Sequence, residues 1–355
     1  MNYKIRGLKT LAGLGYQVLR ANVSKRRIPI FLSLNITNKC NLQCKYCYIR
    51  DDKLDKSILD AEYSKEEIFK IVDEFYEMGT RMIYILGGEP LIHKDIGKII
   101  DYIVNKNIYL HITTNGTLIE RKLDEIKNVH TLCVSLDGIE DHNDDLRGKG
   151  VFNQAIKGIK SAVNASIPCR VHAVLTRKNL HEIRTIVELC RDLKITFSIS
   201  PPNFLGETEI PDLRISTDEY KVFWKEYLNM YHQGLPIGNS SEAIKQCLNW
   251  PVDYHRYIKA DEKVGHYKPT FCLNGHLYAG LAADGTMCNC INLGVLNGPN
   301  IKKYGVKKAW EMLLQWRPDC VSCASINCIE TAMLLNLRLG TVFNGLNFHR
   351  KFFHR

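Results

Sequence analysis

The chain has 355 residues, 45% hydrophobic and 24% charged, which is the composition of an ordinary soluble globular protein with room for one large α/β domain and a smaller appendage. No apolar run approaches the roughly 18 residues that span a bilayer, and the first 30 residues lack the apolar core and cleavage site of a signal peptide. The net charge of +10 sits at the ends: residues 1–27 carry +7 and residues 331–355 carry +4, both without Asp or Glu, leaving −1 between, so the body of the chain need not bind nucleic acid.

In chain order, residues 7–23 come first, with Leu8, Leu11, Ala12, Leu14, Val18 and Leu19 at helical spacing and Lys9 and Arg20 outside the stripe. From residue 30 onward, short β-branched runs alternate with amphipathic stretches. Strands are predicted at 31–36, 82–86, 108–113, 131–136, 169–175 and 196–200. Helices are predicted at 64–78, 95–106, 120–127, 151–163, 179–193 and 217–231. Ser64 and Glu67 form a capping box before Ile68, Ile71, Val72 and Phe75, which share one face. Six βα units imply a parallel sheet with right-handed crossovers, either a partial barrel or a doubly wound sheet, with functional residues at the C-terminal strand ends. A break follows at 201–215, where Pro201, Pro202, Gly206 and Pro211 cluster, then a poorly patterned stretch to about residue 270. Residues 277–282 followed by Asp284-Gly285 read as a hairpin, and 306–314 as a short helix.

Thirteen cysteines, odd in number and clustered, argue against a secreted disulfide framework and place the chain in a reducing cytoplasm. Cys40, Cys44 and Cys47 follow the first strand within eight residues. Three thiolates can hold one metal centre, as an Fe–S cluster with an open iron or as zinc with a fourth ligand elsewhere. Cys272, Cys288, Cys290, Cys320, Cys323 and Cys328 form a second group, for which a zinc ribbon is one reading. Cys133, Cys169, Cys190 and Cys247 are scattered and read as core residues.

The segment Cys40-Asn-Leu-Gln-Cys44-Lys-Tyr46-Cys47 resembles the CxxxCxxC signature of the radical S-adenosylmethionine (SAM) superfamily. The resemblance continues in order with Gly87-Gly88-Glu89-Pro90, Thr113-Thr114-Asn115-Gly116, Val134-Ser135-Leu136-Asp137-Gly138 and Asp144-Asp145-Leu146-Arg147-Gly148, over roughly residues 30–200. It implies a partial (β/α)6 TIM-like barrel in which Cys40, Cys44 and Cys47 hold a [4Fe–4S] cluster whose fourth iron binds SAM. It further implies that Gly87, Gly88, Glu89 and Pro90 serve the SAM amino group, Ser135 and Arg147 its carboxylate, and Thr114 and Asn115 its ribose side. Tyr46 takes the usual aromatic position beside the last cysteine.

Residues 272–330 resemble the SPASM/Twitch extension of that superfamily, through Gly285-x4-Cys290 and Cys320-x2-Cys323. This implies one auxiliary [4Fe–4S] cluster on Cys272, Cys290, Cys320 and Cys323, with Cys328 or Cys288 able to replace one of them. The domain expectation is a basic amphipathic helix at 1–29, the SAM core at 30–235, a linker at 236–271, the auxiliary domain at 272–330 and a basic apolar tail at 331–355.

The implied function is reductive SAM cleavage to a 5′-deoxyadenosyl radical that abstracts a substrate hydrogen, fed by a donor such as flavodoxin or ferredoxin. The auxiliary cluster would accept an electron or bind substrate. The substrate expectation is a small molecule or isoprenoid-type lipid, because the short stretch before the first strand leaves little for peptide recognition. The alternatives are a ribosomal-peptide maturase and a non-catalytic Fe–S electron carrier. The basic ends would either cap the barrel bottom or touch the inner face of a membrane as a peripheral contact.

Overall fold

The computed structural model of the chain describes residues 3–47, 49, 56–202, 211–288, 290, 298–316, 319–342 and 344. Its strands, in chain order, are β1 (Phe31–Thr37), β2 (Met82–Gly87), β3 (Tyr109–Thr114), β4 (Thr131–Ser135), β5 (Cys169–Val174), β6 (Thr196–Ser200), β7 (Tyr278–Leu281) and β8 (Met287–Cys288). The six expected strands appear in place, and β6 coincides with its predicted span. The helices between them follow the periodicity, with Lys65–Met78 capped by the reciprocal Ser64/Glu67 bonds and burying Ile68, Ile71, Val72 and Phe75.

The chain divides into two compact units, the first comprising residues 1–135, 153–169 and 273–317, the second 136–152, 170–272 and 318–355. In the first, the strand order is β4-β3-β2-β1-β7-β8, parallel except for the β7/β8 hairpin. Each crossover from β1 to β4 moves the same way, without the reversal that marks a doubly wound sheet, so the winding is that of a barrel. One face is uniformly apolar and buried: Leu32, Leu34 and Ile36, Ile83 and Ile85, Leu110 and Ile112, Leu132 and Val134. On the other face the register makes layers. Phe31, Met82, Tyr109 and Tyr278 form an aromatic-rich cluster at the N-terminal strand ends, and Leu14 of the helix Tyr3–Ser24 packs against it. Above it the pairing aligns Ser33, Tyr84, His111 and Thr131, a polar layer, with Tyr84 stacked on His111 at 4.1 Å.

The second unit holds β5 and β6 in parallel, with Arg170 opposite Thr196 and His172 opposite Ser198. Two expectations about its boundaries change. Residues 236–271, expected as a linker, contain the helix Ser241–Leu248, capped by Ser240 and burying Ala243, Ile244 and Cys247. The hairpin expected inside a separate 272–330 domain instead extends the first unit's sheet, because the fully buried β7 pairs in parallel with β1 from Phe31 to Leu34. Of the expected basic tail, Phe348, Arg350, Lys351, Phe352, Phe353 and Arg355 lie outside the described residues.

Candidate active site

The β1 strand delivers the chain into the first cysteine loop. Its end is pinned by Asn38, whose backbone N–H donates to Ala61 O at 2.8 Å and whose side chain donates to Ile58 O at 2.8 Å. The Cys47 N–H donates to Cys44 O at 3.2 Å, folding the last two cysteines into one turn. Cys40, Cys44 and Cys47 are all half-buried, whereas Cys133, Cys169, Cys190 and Cys247 are fully buried, as expected of core residues.

Gly87 and Gly88 bring β2 against this loop. Gly87 has φ +138°, and a Cβ there would lie 2.1 Å from Thr37 O; a Cβ on Gly88 would lie 2.2 Å from Lys39 O. Only glycine permits that approach. It is sealed by Gly88 N–H donating to Thr37 O and Glu89 N–H to Lys39 O, each at 2.8 Å.

Glu89 was expected to accept from the SAM amino group. Its carboxylate is 0% exposed and hydrogen-bonded within the protein. Oε1 accepts from Thr114 Oγ1 at 2.8 Å and Leu91 N–H at 3.0 Å, and Oε2 from Asn115 N–H at 2.7 Å. Charge-assisted bonds of this kind hold a loop firmly. Asn115 in turn donates through Nδ2 to Asn41 Oδ1 at 2.8 Å and reaches Cys40 Sγ at 4.0 Å. The Leu42 N–H approaches the same sulfur at 3.4 Å. The cysteine loop, Gly87–Pro90 and Thr114–Asn115 are thus one hydrogen-bonded assembly.

Ser135 ends β4, half-buried. Arg147, in the second unit, is buried and donates through Nε to Asp137 Oδ2 at 2.6 Å. Asp137 is itself held from several sides: its Oδ1 accepts Val174 N–H at 2.8 Å, its carbonyl accepts Asn179 Nδ2 at 2.6 Å, and its N–H donates to Asn143 Oδ1 at 3.1 Å. Glu182 ties down the neighbouring loop by accepting Ile139 N–H at 2.9 Å. Sequence reasoning missed these partners. The structure buries Asn143 and Arg147 on the helix Glu140–Arg147 while Glu140, Asp141 and Asp145 stay exposed, a division the almost uniformly polar sequence does not mark.

In the second cysteine group, Cys272, Cys320, Cys323 and Cys328 belong to the second unit and are half-buried. Backbone pairing aligns Cys272 with the CxxC segment: its N–H donates to Val321 O at 2.7 Å, while Ile258 bridges Ser322. Cys290 belongs to the first unit, also half-buried. Cys288 differs. It is fully buried, with its sulfur against Gly280, and burial pushes its thiol up to about 12.

One face of β5 and β6 is polar. His172 Nδ1 pairs with Ser198 Oγ at 2.9 Å and Nε2 with Ser200 Oγ at 3.0 Å. Burial, then the charges of Arg170 and Arg147, push its imidazole down to about 3, so it is neutral at physiological pH.

The donor chemistry fits a cubane cluster at the first loop. Three half-buried cysteines share one loop, and Cys40 Sγ receives N–H groups of the kind that tune cluster thiolates.

Residues 34–190 match the family described as the Radical SAM superfamily. The chain is 33% identical over 287 residues to a probable GTP 3′,8-cyclase of Methanococcus maripaludis, covering 77% of this chain and 92% of that one. It is 33% identical over 177 residues to an Fe-coproporphyrin III synthase of Methanosarcina barkeri, covering 48% of this chain and 43% of that one. The chain spans about half the length, 43% and 55%, of two of the curated relatives it matches. Among solved structures, Streptococcus suis SuiB superposes with a TM-score of 0.62 at 19% identity, over 83% of this chain and 68% of that one, a likeness of fold.

Proposed function

The chain belongs to the radical SAM superfamily, and from that premise we propose that it is an enzyme whose Cys40, Cys44 and Cys47 hold the SAM-binding [4Fe–4S] cluster. When bound and reduced, that cluster supplies the electron that splits SAM into methionine and a 5′-deoxyadenosyl radical, which takes a hydrogen atom from the substrate. The observation that carries this reading is the single assembly of the cysteine loop, Gly87–Pro90 and Thr114–Asn115 around the buried Glu89 carboxylate.

The chain's own residues then have distinct tasks. Gly87, Gly88 and the carbonyls near Glu89 and Pro90 receive the SAM amino group, while Glu89 itself positions Thr114 and Asn115 on the ribose side. Ser135 and Arg147 take the carboxylate, with Asp137 orienting the guanidinium through Nε. Tyr46 lines the turn between the last two cysteines. The auxiliary [4Fe–4S] cluster is assigned to Cys272, Cys290, Cys320, Cys323 and Cys328, with one more thiol than a cubane requires. It would accept the second electron when the substrate radical is oxidised. Flavodoxin or ferredoxin is the class of donor for the first electron.

The substrate reading is a small molecule or lipid. A peptide substrate is the second reading, favoured by the fold shared with SuiB, which has been crystallised bound to its precursor peptide. Among the described residues no helix is long and apolar enough to cross a membrane. The test is anaerobic: reconstituted, dithionite-reduced protein with SAM should release 5′-deoxyadenosine. A fully reconstituted chain that makes none would overturn the assignment.

A further inference from the structure

A surface helix ordinarily turns its polar residues away from the body it packs on. The helix Tyr3–Ser24 does not. It buries Thr10, Gln17, Val18 and Ala21, with Leu14 against the aromatic cluster. On the opposite side, at spacings of three and four, it exposes Ala12, Tyr16, Leu19 and Val23. The last three are 63%, 55% and 76% exposed. Lys9 and Arg20 flank this stripe, also exposed. Residues 1–27 carry seven basic side chains and no acidic one. Arg81 adds to the field: its side chain runs beside Gly13 and lies over the Tyr76 ring at 3.9 Å, and burial together with the charge of Arg20 holds its guanidinium below the ordinary value.

We propose that this outer face, Tyr16, Leu19 and Val23 flanked by Lys9 and Arg20, seats the enzyme on a lipid surface bearing anionic headgroups. The apolar stripe enters the boundary between headgroups and acyl chains, and the cations meet the phosphates. Charge selects this occupant: a second copy would bring the same acid-free basic helix against itself, whereas anionic lipid complements it. The helix lies against the N-terminal strand ends, so seating it leaves the C-terminal ends that carry the cysteine loop untouched. The proposal stands independently of the substrate.

The experiment is co-sedimentation of the full, cluster-reconstituted chain with phosphatidylcholine vesicles, with and without phosphatidylglycerol, at low and high salt. The unaltered chain should bind the anionic vesicles and release them as salt rises. Leu19→Glu with Val23→Glu should weaken binding roughly tenfold or more while iron content and 5′-deoxyadenosine formation stay unchanged. Val23→Glu alone, at the most exposed position, gives the same sign should the double variant fold poorly. The proposal is overturned if the unaltered chain ignores anionic vesicles, if the variants bind as well, or if the chain is a dimer that these variants turn into monomers.

Discussion

The Glu89 carboxylate accepts the backbone N–H of Asn115 at 2.7 Å, joining the end of β2 to the end of β3 beneath the cysteine loop. Replacing Glu89 with Gln puts an amide N–H₂ against donors that need an acceptor. Glu89→Gln should lose roughly 1–3 kcal/mol of stability and most SAM cleavage. Denaturant titration and a 5′-deoxyadenosine assay read the two effects.

Burial separates the proposed ligand cysteines from the core cysteines. Cys40→Ala, Cys44→Ala or Cys47→Ala should each lower iron by about four atoms per chain and abolish SAM cleavage. Cys190→Ala, at a fully buried sulfur, should leave iron unchanged at some cost in stability. Equal iron loss in all four variants would show that burial does not distinguish the roles.

Gly88→Ala should act on the cysteine loop from a distance. A methyl 2.2 Å from Lys39 O forces the loop away from β2. The expected result is poor cluster incorporation with far-ultraviolet circular dichroism preserved, since the clash involves one loop and not the sheet.

Arg147 and Asp137 form a buried pair at 2.6 Å, with side chains 8% and 0% exposed. Asp137→Asn leaves the guanidinium buried beside a neutral partner and should destabilise the chain by about 3–5 kcal/mol. SAM affinity should fall as well, because the guanidinium loses its anchor. Calorimetric binding at a temperature where the variant remains folded checks this.

His172 gives a pH signature. Its folded value, about 3, lies below its ordinary 6.5, so the unfolded chain binds the extra proton between those values. The stability it contributes is complete above pH 6.5 and is lost as pH falls toward 3. The expected loss approaches about 1.4 kcal/mol per pH unit well below that upper limit. His172→Asn should flatten that part of the profile between pH 7 and 5 in denaturant titrations.

Much of this was legible in the residues. Strands with a purely apolar outer face, such as Leu32, Leu34 and Ile36, announce themselves by period, and Ser64/Glu67 fixes a helix start by local chemistry alone. The cysteine loop and Gly87-Gly88 were readable because each motif sits at a strand end. What stayed hidden depends on distant partners. Glu89 and Arg147 read locally as ligand-binding charges, and nothing near them in sequence tells that Thr114, Asn115 and Asp137 also hold them. The helix Ser241–Leu248 offers only Ala243, Ile244 and Cys247 to a core, too few to make a period stand out. The place of β7 depends on which edge its four residues meet, and local pattern carries no such information.

The pairing of Tyr278 with Phe31 has a consequence for biogenesis. The strand that leads into the cysteine loop has one bare edge until a segment synthesised far later arrives beside it. Closing so long a loop is slow, and an uncovered strand edge invites the wrong neighbour meanwhile. Iron loaded during synthesis would therefore enter an unfinished sheet, and shielding of the nascent strand becomes part of making the enzyme.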